Sequence, residues 1–172
     1  KASFDDTEVS KNSFQSAELL KAVFDGAYVR KNIFDKADLT KANFANSTIE
    51  RSDFILAQLA GVSFAGAKLE KVNFTNANMQ GIKIDADTKM EDVDFSGANL
   101  EGAKIEKFTA KKVIYDNKTQ FPSGFDPRQY GFTKRGEKAA DIKVEGKKKS
   151  GDGEDQPKKK RKKRKSMDND DE

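Results

Sequence analysis

Carboxylates, hydroxyls and side-chain cations are the only groups in this 172-residue chain whose types could do chemistry, because it has no His, no Cys and no Trp. That absence removes thiol nucleophiles, imidazole bases, thiolate and imidazole metal ligands, and any disulfide framework. The expectation is a protein with no catalytic residue, no cofactor site and no metal site, and not an enzyme. The densest chemical signal is a run of cations: Lys158, Lys159, Lys160, Arg161, Lys162, Lys163, Arg164 and Lys165. Such a run can follow a phosphate backbone without reading the bases. Asp152, Glu154 and Asp155 precede it, and Asp168, Asp170, Asp171 and Glu172 follow it. Three roles fit: nucleic-acid binding, a nuclear import signal (Pro157 followed by a Lys/Arg cluster), or a solubilising segment. Nucleic-acid binding is the reading taken forward.

Charge is unevenly spread. Residues 1–132 carry 18 basic and 19 acidic groups, whereas residues 133–172 carry 15 basic and 10 acidic ones. The basic character therefore belongs to the tail, which has almost no large apolar residue. A segment of that composition cannot offset the entropy of ordering, so residues 133–172 are expected to be a disordered lysine-rich tail.

The elements that must carry these charges are legible as a repeat. From Phe4 in steps of five run Phe4, Val9, Phe14, Leu19, Phe24, Val29, Phe34, Leu39, Phe44, Ile49, Phe54, Leu59, Phe64, Leu69, Phe74, Met79 and Ile84, all large and apolar. Two residues before each lies a second, mostly small register, beginning Ala2, Thr7, Asn12, Ala17 and Ala22. A period of five fits neither a 3.6-residue helix nor a simple two-residue strand. It fits a chain that points two alternate residues inward and turns at the fifth. Gly26, Gly61, Gly66 and Gly81 fall at that fifth place, where a corner is needed. After Ile84 the series resumes one residue late, at Met90, Phe95, Leu100 and Ile105. The spacing predicts a one-residue bulge within Asp85–Lys89 and a solenoid that continues past it.

Units such as ADLTK (37–41), AKLEK (67–71), ANMQG (77–81) and ANLEG (98–102) resemble the pentapeptide-repeat family, whose pattern is A-(D/N)-L-x-x. The resemblance implies an all-β fold, a right-handed quadrilateral β-helix with 20 residues per coil over residues 1–107. Alternation of Phe with aliphatic residues then stacks Phe4, Phe24, Phe44 and Phe64 on one side and Phe14, Phe34, Phe54 and Phe74 opposite. With both inward rows filled, those rings read as core and not as a ligand slot. Some members of the family mimic DNA and inhibit gyrase through a strongly acidic surface; this near-neutral repeat does not carry one.

Residues 108–132 contain FPSGFDP (Phe121 to Pro127), which resembles the closing segment of cyanobacterial-type pentapeptide-repeat proteins and implies a C-terminal cap. Asp126 beside Pro127 reads as a turn acceptor. At the other end the register starts at Ala2-Ser3-Phe4, which leaves the first coil's edge open. Either the protein self-associates through that edge or residues upstream cover it. The chain opens at Lys1 rather than Met, so its natural start is expected to be missing.

Two surface features complete the reading. Lys1, Lys21 and Lys41 would line one corner of the coil, and Lys11, Lys31, Arg51 and Lys71 the opposite one, with acidic neighbours close enough to neutralise them. Ile33, Ile55 and Leu56 form a small outward apolar group on one side, a candidate partner patch. No stretch approaches the ~18 apolar residues of a membrane span. Together these features predict a scaffold tethered to nucleic acid by its tail. The alternative is a protein-binding assembly factor acting through the solenoid faces. The plastid stroma is the favoured compartment and the nucleus the alternative.

Overall fold

From the second coil on, most five-residue units bury their first and third residues, as alternation requires: in the unit 37–41, Ala37 and Leu39 are both fully buried while Asp38 and Thr40 lie towards solvent. The fifth residue turns the chain with left-handed backbone, at Lys31 (φ 54°), Arg51 (φ 50°) and Gly61 (φ 70°) for example. That conformation costs a residue with a Cβ roughly 1–2 kcal/mol. Fourteen non-glycine residues nonetheless hold it among the described residues, most of them with the corner N–H bonded to the next coil, as Lys31 to the Glu50 carbonyl at 2.9 Å. The computed structural model describes residues 2–137. The cation run Lys158–Lys165 lies outside the described residues.

Repetition of the corner stacks about six coils, joined by four parallel ladders. One ladder forms continuous strands: β1 (Glu8–Ser10), β2 (Tyr28–Arg30), β3 (Thr48–Glu50), β4 (Lys68–Asn73) and later β6 (Lys89–Asp94). The other three sides are held mainly by single-residue bridges such as Ser3 to Val23, Ser13 to Ile33 and Glu18 to Asp38. Partners lie 20 residues apart, as Val9 with Val29 and Val29 with Ile49. The interior is two stacks of rings. Phe24 lies 4.4 Å from Phe44, and Phe34 lies 4.7 Å from Phe54, both near parallel. Edge contacts, such as Phe44 on Phe54 at 6.0 Å, join one stack to the other. No lumen remains between them.

The expected slip is present. Leu69 pairs with Met90 and Val72 with Val93, a step of 21 residues. Phe95 resumes the ring stack 5.4 Å from Phe74. The extra residue is absorbed by Asp85 and Thr88. One Asp85 carboxylate oxygen accepts from the Gly66 N–H at 2.8 Å, the Thr88 N–H at 3.2 Å and the Thr88 hydroxyl at 2.9 Å. The same hydroxyl lies 3.0 Å from the Phe64 carbonyl and can donate to it instead.

The structure moves both expected boundaries of the cap. The coil does not end at residue 107: β8 (Thr109–Lys111) pairs with β6, β9 (Ile114–Tyr115) continues the next side, and Gln120 bridges Asn99. A second step of 21 occurs here, and Asp116 and Thr119 reproduce the first device bond for bond, with Gly97 N–H and the Phe95 carbonyl in the places of Gly66 and Phe64. Loss of the Phe–aliphatic alternation hid this coil, but the Asp-x-x-Thr spacing shared by 85–88 and 116–119 marks it. Nor does structure stop at 132, because β10 (Thr133–Lys134) pairs with β9. Phe132 carries this last strand inward and stacks 6.0 Å from Phe95.

Candidate interaction surfaces

On the β1–β2–β3–β4–β6 side, Glu50, Glu70 and Glu91 form an outward acidic column with cations beside it. Glu50 lies 3.7 Å from Arg30 and 3.3 Å from Arg51, and Glu70 lies 3.2 Å from Lys68 and 3.6 Å from Lys71. The Tyr28 hydroxyl donates to Glu50 at 2.8 Å, which lifts the phenol's pKa and holds the Glu50 carboxyl below its ordinary value. Exposed, salt-screened pairs of this kind add little to stability. Their larger effect here is to cancel field. Lys11, Lys31, Arg51 and Lys71 do line one corner, but Glu50 and Glu70 sit among them, and the column continues to Asp92. The corner of Lys21 and Lys41 passes to Gly61, Gly81 and Gly102. Neither corner is a continuous basic ridge.

Ile33 and Leu56 are both exposed, at 42% and 45%, on the side of the Phe14–Phe34–Phe54 stack, while Ile55 between them in sequence is half-buried. Beside them Asp53 has its pKa raised, first by burial and then by the neighbouring Asp35 carboxylate. Sequence reasoning missed two other exposed apolar residues, Leu20 and Tyr28. Each lies on a different side of the coil, so the four do not form one patch.

The two ends of the stack differ. In the first coil Phe4 and Phe14 are only half-buried, whereas their stack partners Phe24 and Phe34 are fully buried. At the other end four rings cross the coil as a second stack: Phe121 to Phe125 at 5.2 Å, Phe125 to Tyr130 at 4.7 Å and Tyr130 to Phe108 at 5.1 Å. Phe132 touches this stack edge-on at Phe108 and Phe125. A short 3-10 turn, Pro127–Tyr130, presents Tyr130, and Asp126 caps it by accepting from the Arg128 N–H at 3.0 Å. Asp126 is a turn acceptor, as its place before Pro127 suggested. Beyond it, β10 covers the β9 side. The side of β8 is left with a groove of ≈ 530 Å³ lined by Lys107, Phe108, Thr109, Ala110, Gln129 and Tyr130.

Among the described residues no group of three or more carboxylates could hold a metal ion, and no helix is long and apolar enough to cross a membrane. Comparison with curated proteins gave no match. The family model for pentapeptide repeats matches residues 22–57 and 52–85, in eight copies. Among solved structures, a pentapeptide repeat protein from Nostoc Pcc 7120 is 27% identical, with a TM-score of 0.56 over 60% of this chain and 84% of its own. A pentapeptide repeat protein from the Arabidopsis thaliana thylakoid lumen is also 27% identical, with a TM-score of 0.56 over 58% of this chain and 68% of its own. The five-residue register, the four parallel ladders and these likenesses agree that residues 22–85 are pentapeptide repeats.

Proposed function

We propose that the protein is a non-enzymatic scaffold held on nucleic acid by the cation run Lys158–Lys165. One observation carries this reading: over residues 1–132 the 18 cations are balanced by 19 acids, whereas the run has eight consecutive cations with acids only at its flanks. The run's cations would displace counterions condensed on the duplex phosphates, so affinity should fall steeply with salt. All eight contacts would give a slope of log K against log salt of about −7, and competition from the flanking acids reduces that to about −3 to −5. A chain lacking residues 157–165 should lose most of its affinity for duplex DNA while its melting temperature is unchanged. Retention of that affinity would overturn the tether. The 27% likeness to a thylakoid-lumen protein supports a plastid setting, with the stroma favoured.

The second reading is an assembly factor that binds protein through the solenoid sides, with the run as an import or solubilising segment. The exposure of Ile33 and Leu56 on one side favours it. The half-buried Phe4 and Phe14 support an additional contact at the first coil, to another copy or to preceding residues.

A further inference from the structure

The last unit on the β8 side reverses the sizes of its two inward residues. Going up this side, the large position reads Val9, Val29, Ile49, Leu69, Met90 and then Ala110. The small position reads Thr7, Ala27, Ser47, Ala67, Thr88 and then Phe108. Phe108 turns to stack on Tyr130, and the column of large side chains stops one residue short, which opens the groove beside Ala110. The hollow is therefore shaped like the place of the next large aliphatic side chain.

The backbone at this place is also left open. In each unit the third and fifth residues donate N–H groups forward to the next coil, as Leu19 does to Asp38 at 2.7 Å and Lys21 to Thr40 at 2.9 Å. On the β8 side those residues are Ala110 and Lys112. Thr109 donates back to Thr88 at 3.1 Å, but among the described residues β8 has a strand on one side only. Its neighbour around the corner, β7 (Lys104–Ile105), pairs only with β5 (Lys83–Ile84). Among the described residues β7, β8 and Gln120 each end their ladder without an outer partner, while β10 covers the β9 side.

Charge says what fits. Lys111 reaches back to Glu91 at 2.8 Å, a contact that raises the Lys111 pKa and lowers that of Glu91. Lys107 and Lys112, on either side of the strand, have no ion-pair partner among the described residues. Cations on an edge strand guard against pairing with another copy of the same edge. The same cations favour a strand of opposite charge.

We propose that the free edge of β8 is a docking site for an extended segment of another protein, added parallel to β8, with a large aliphatic residue in the Ala110 hollow followed by two acidic residues beside Lys111 and Lys112. Main-chain hydrogen bonds give such strand addition its affinity and the pocket its selectivity. The groove's aromatic rings argue against a nucleic-acid strand here, because both faces of Tyr130 are already taken, by Phe108 and by Phe125. The site does not depend on the cation run and stands or falls separately from the tether.

The test uses the full chain and a fluorescein-labelled octapeptide containing Thr-Val-Glu-Glu, read by anisotropy and by amide NMR shifts. Saturable binding with shifts at Thr109, Ala110 and Lys112 is expected, and a chain lacking residues 157–165 should bind equally. Ala110→Pro removes a forward N–H at an edge that tolerates proline, and should weaken binding about tenfold or more. Lys112→Glu, at an exposed corner, should weaken it about fivefold and flatten its salt dependence. Far-UV circular dichroism melts establish that each variant folds, and Lys112→Glu serves alone if Ala110→Pro does not. Absence of saturable binding, unchanged affinity in the folded variants, or stronger perturbation of the same amides by oligothymidylate would overturn the proposal.

Discussion

Phe54 and Asp53 are neighbours in sequence with opposite environments. Phe54 is fully buried, 4.7 Å from Phe34, 5.2 Å from Phe74 and edge-on to Phe44. Rings fixed on three sides cannot close a gap, so Phe54→Ala should cost about 3–5 kcal/mol in chemical denaturation. Asp53 faces outward, and burial followed by the Asp35 charge raises its pKa. For a carboxyl the sign is then unfavourable to folding: the ionised form is disfavoured in the native state, and the penalty appears as pH rises through the unfolded value near 3.9. Asp53→Asn should therefore be neutral or slightly stabilising at pH 7, by at most about 0.5 kcal/mol, with no effect below about pH 3.5. Comparable losses at the two positions would contradict the five-residue register.

At the scale of the unit, the two Asp-x-x-Thr corners are where the repeat changes its count without breaking. The Gly66 N–H and then the Thr88 hydroxyl and nearby N–H groups hold the Asp85 carboxyl below its ordinary pKa. At Asp116 partial burial pushes the other way, and the bonds from Gly97, Lys118 and Thr119 outweigh it. Both folded values lie below the unfolded one. The stability they contribute is thus full above the ordinary Asp range and is lost as pH falls through the folded values. Asp85→Asn should lower the midpoint of thermal melting at pH 7 and reduce its fall between about pH 4 and pH 2. An unchanged acid limb would remove the carboxylate from this role. These corners also set how much of the fold could be read from the chain. Coils whose large positions alternate Phe with aliphatic residues announce themselves, and one inserted residue leaves that alternation visible at Met90 and Phe95. The final coil has Ala110 where a large residue belongs and Phe108 where a small one does, so the pattern vanishes although the hydrogen bonding persists. The β8 groove was illegible for the same reason, since it consists of a missing side chain. Exposure on the sides was only partly legible: Ile33 and Leu56 stood out against polar neighbours, but Leu20 and Tyr28 needed the coordinates.

Across the stack as a whole, a coil touches only its neighbours, so stability is a sum of local terms and need not be lost all at once. Phe4 and Phe14 are half-buried where Phe44, Phe54 and Phe64 are sealed. Native-state hydrogen exchange should show amides near Phe54 and Phe64 protected at least about tenfold more than those of the first coil. Uniform protection from end to end would mean that the coils unfold together. At this scale the ion pairs among Arg30, Glu50, Arg51, Glu70 and Lys71 offset one another's charge along this side.

The ten-residue alternation of Phe with aliphatic side chains has an evolutionary corollary. A gene rearrangement that removed or duplicated 20 codons within residues 22–81 would set ring on ring and aliphatic on aliphatic, and would change only the distance between the two ends. A loss of five codons would instead set Phe against an aliphatic residue on every side at the junction. A loss of ten would restore the match but rotate the closing aromatic stack, and the β8 groove with it, by half a turn relative to Ile33. The chain can therefore vary its length in whole coils at little structural cost, and each ten-residue change moves the terminal groove from one of the two sides flanking the Ile33 side to the other.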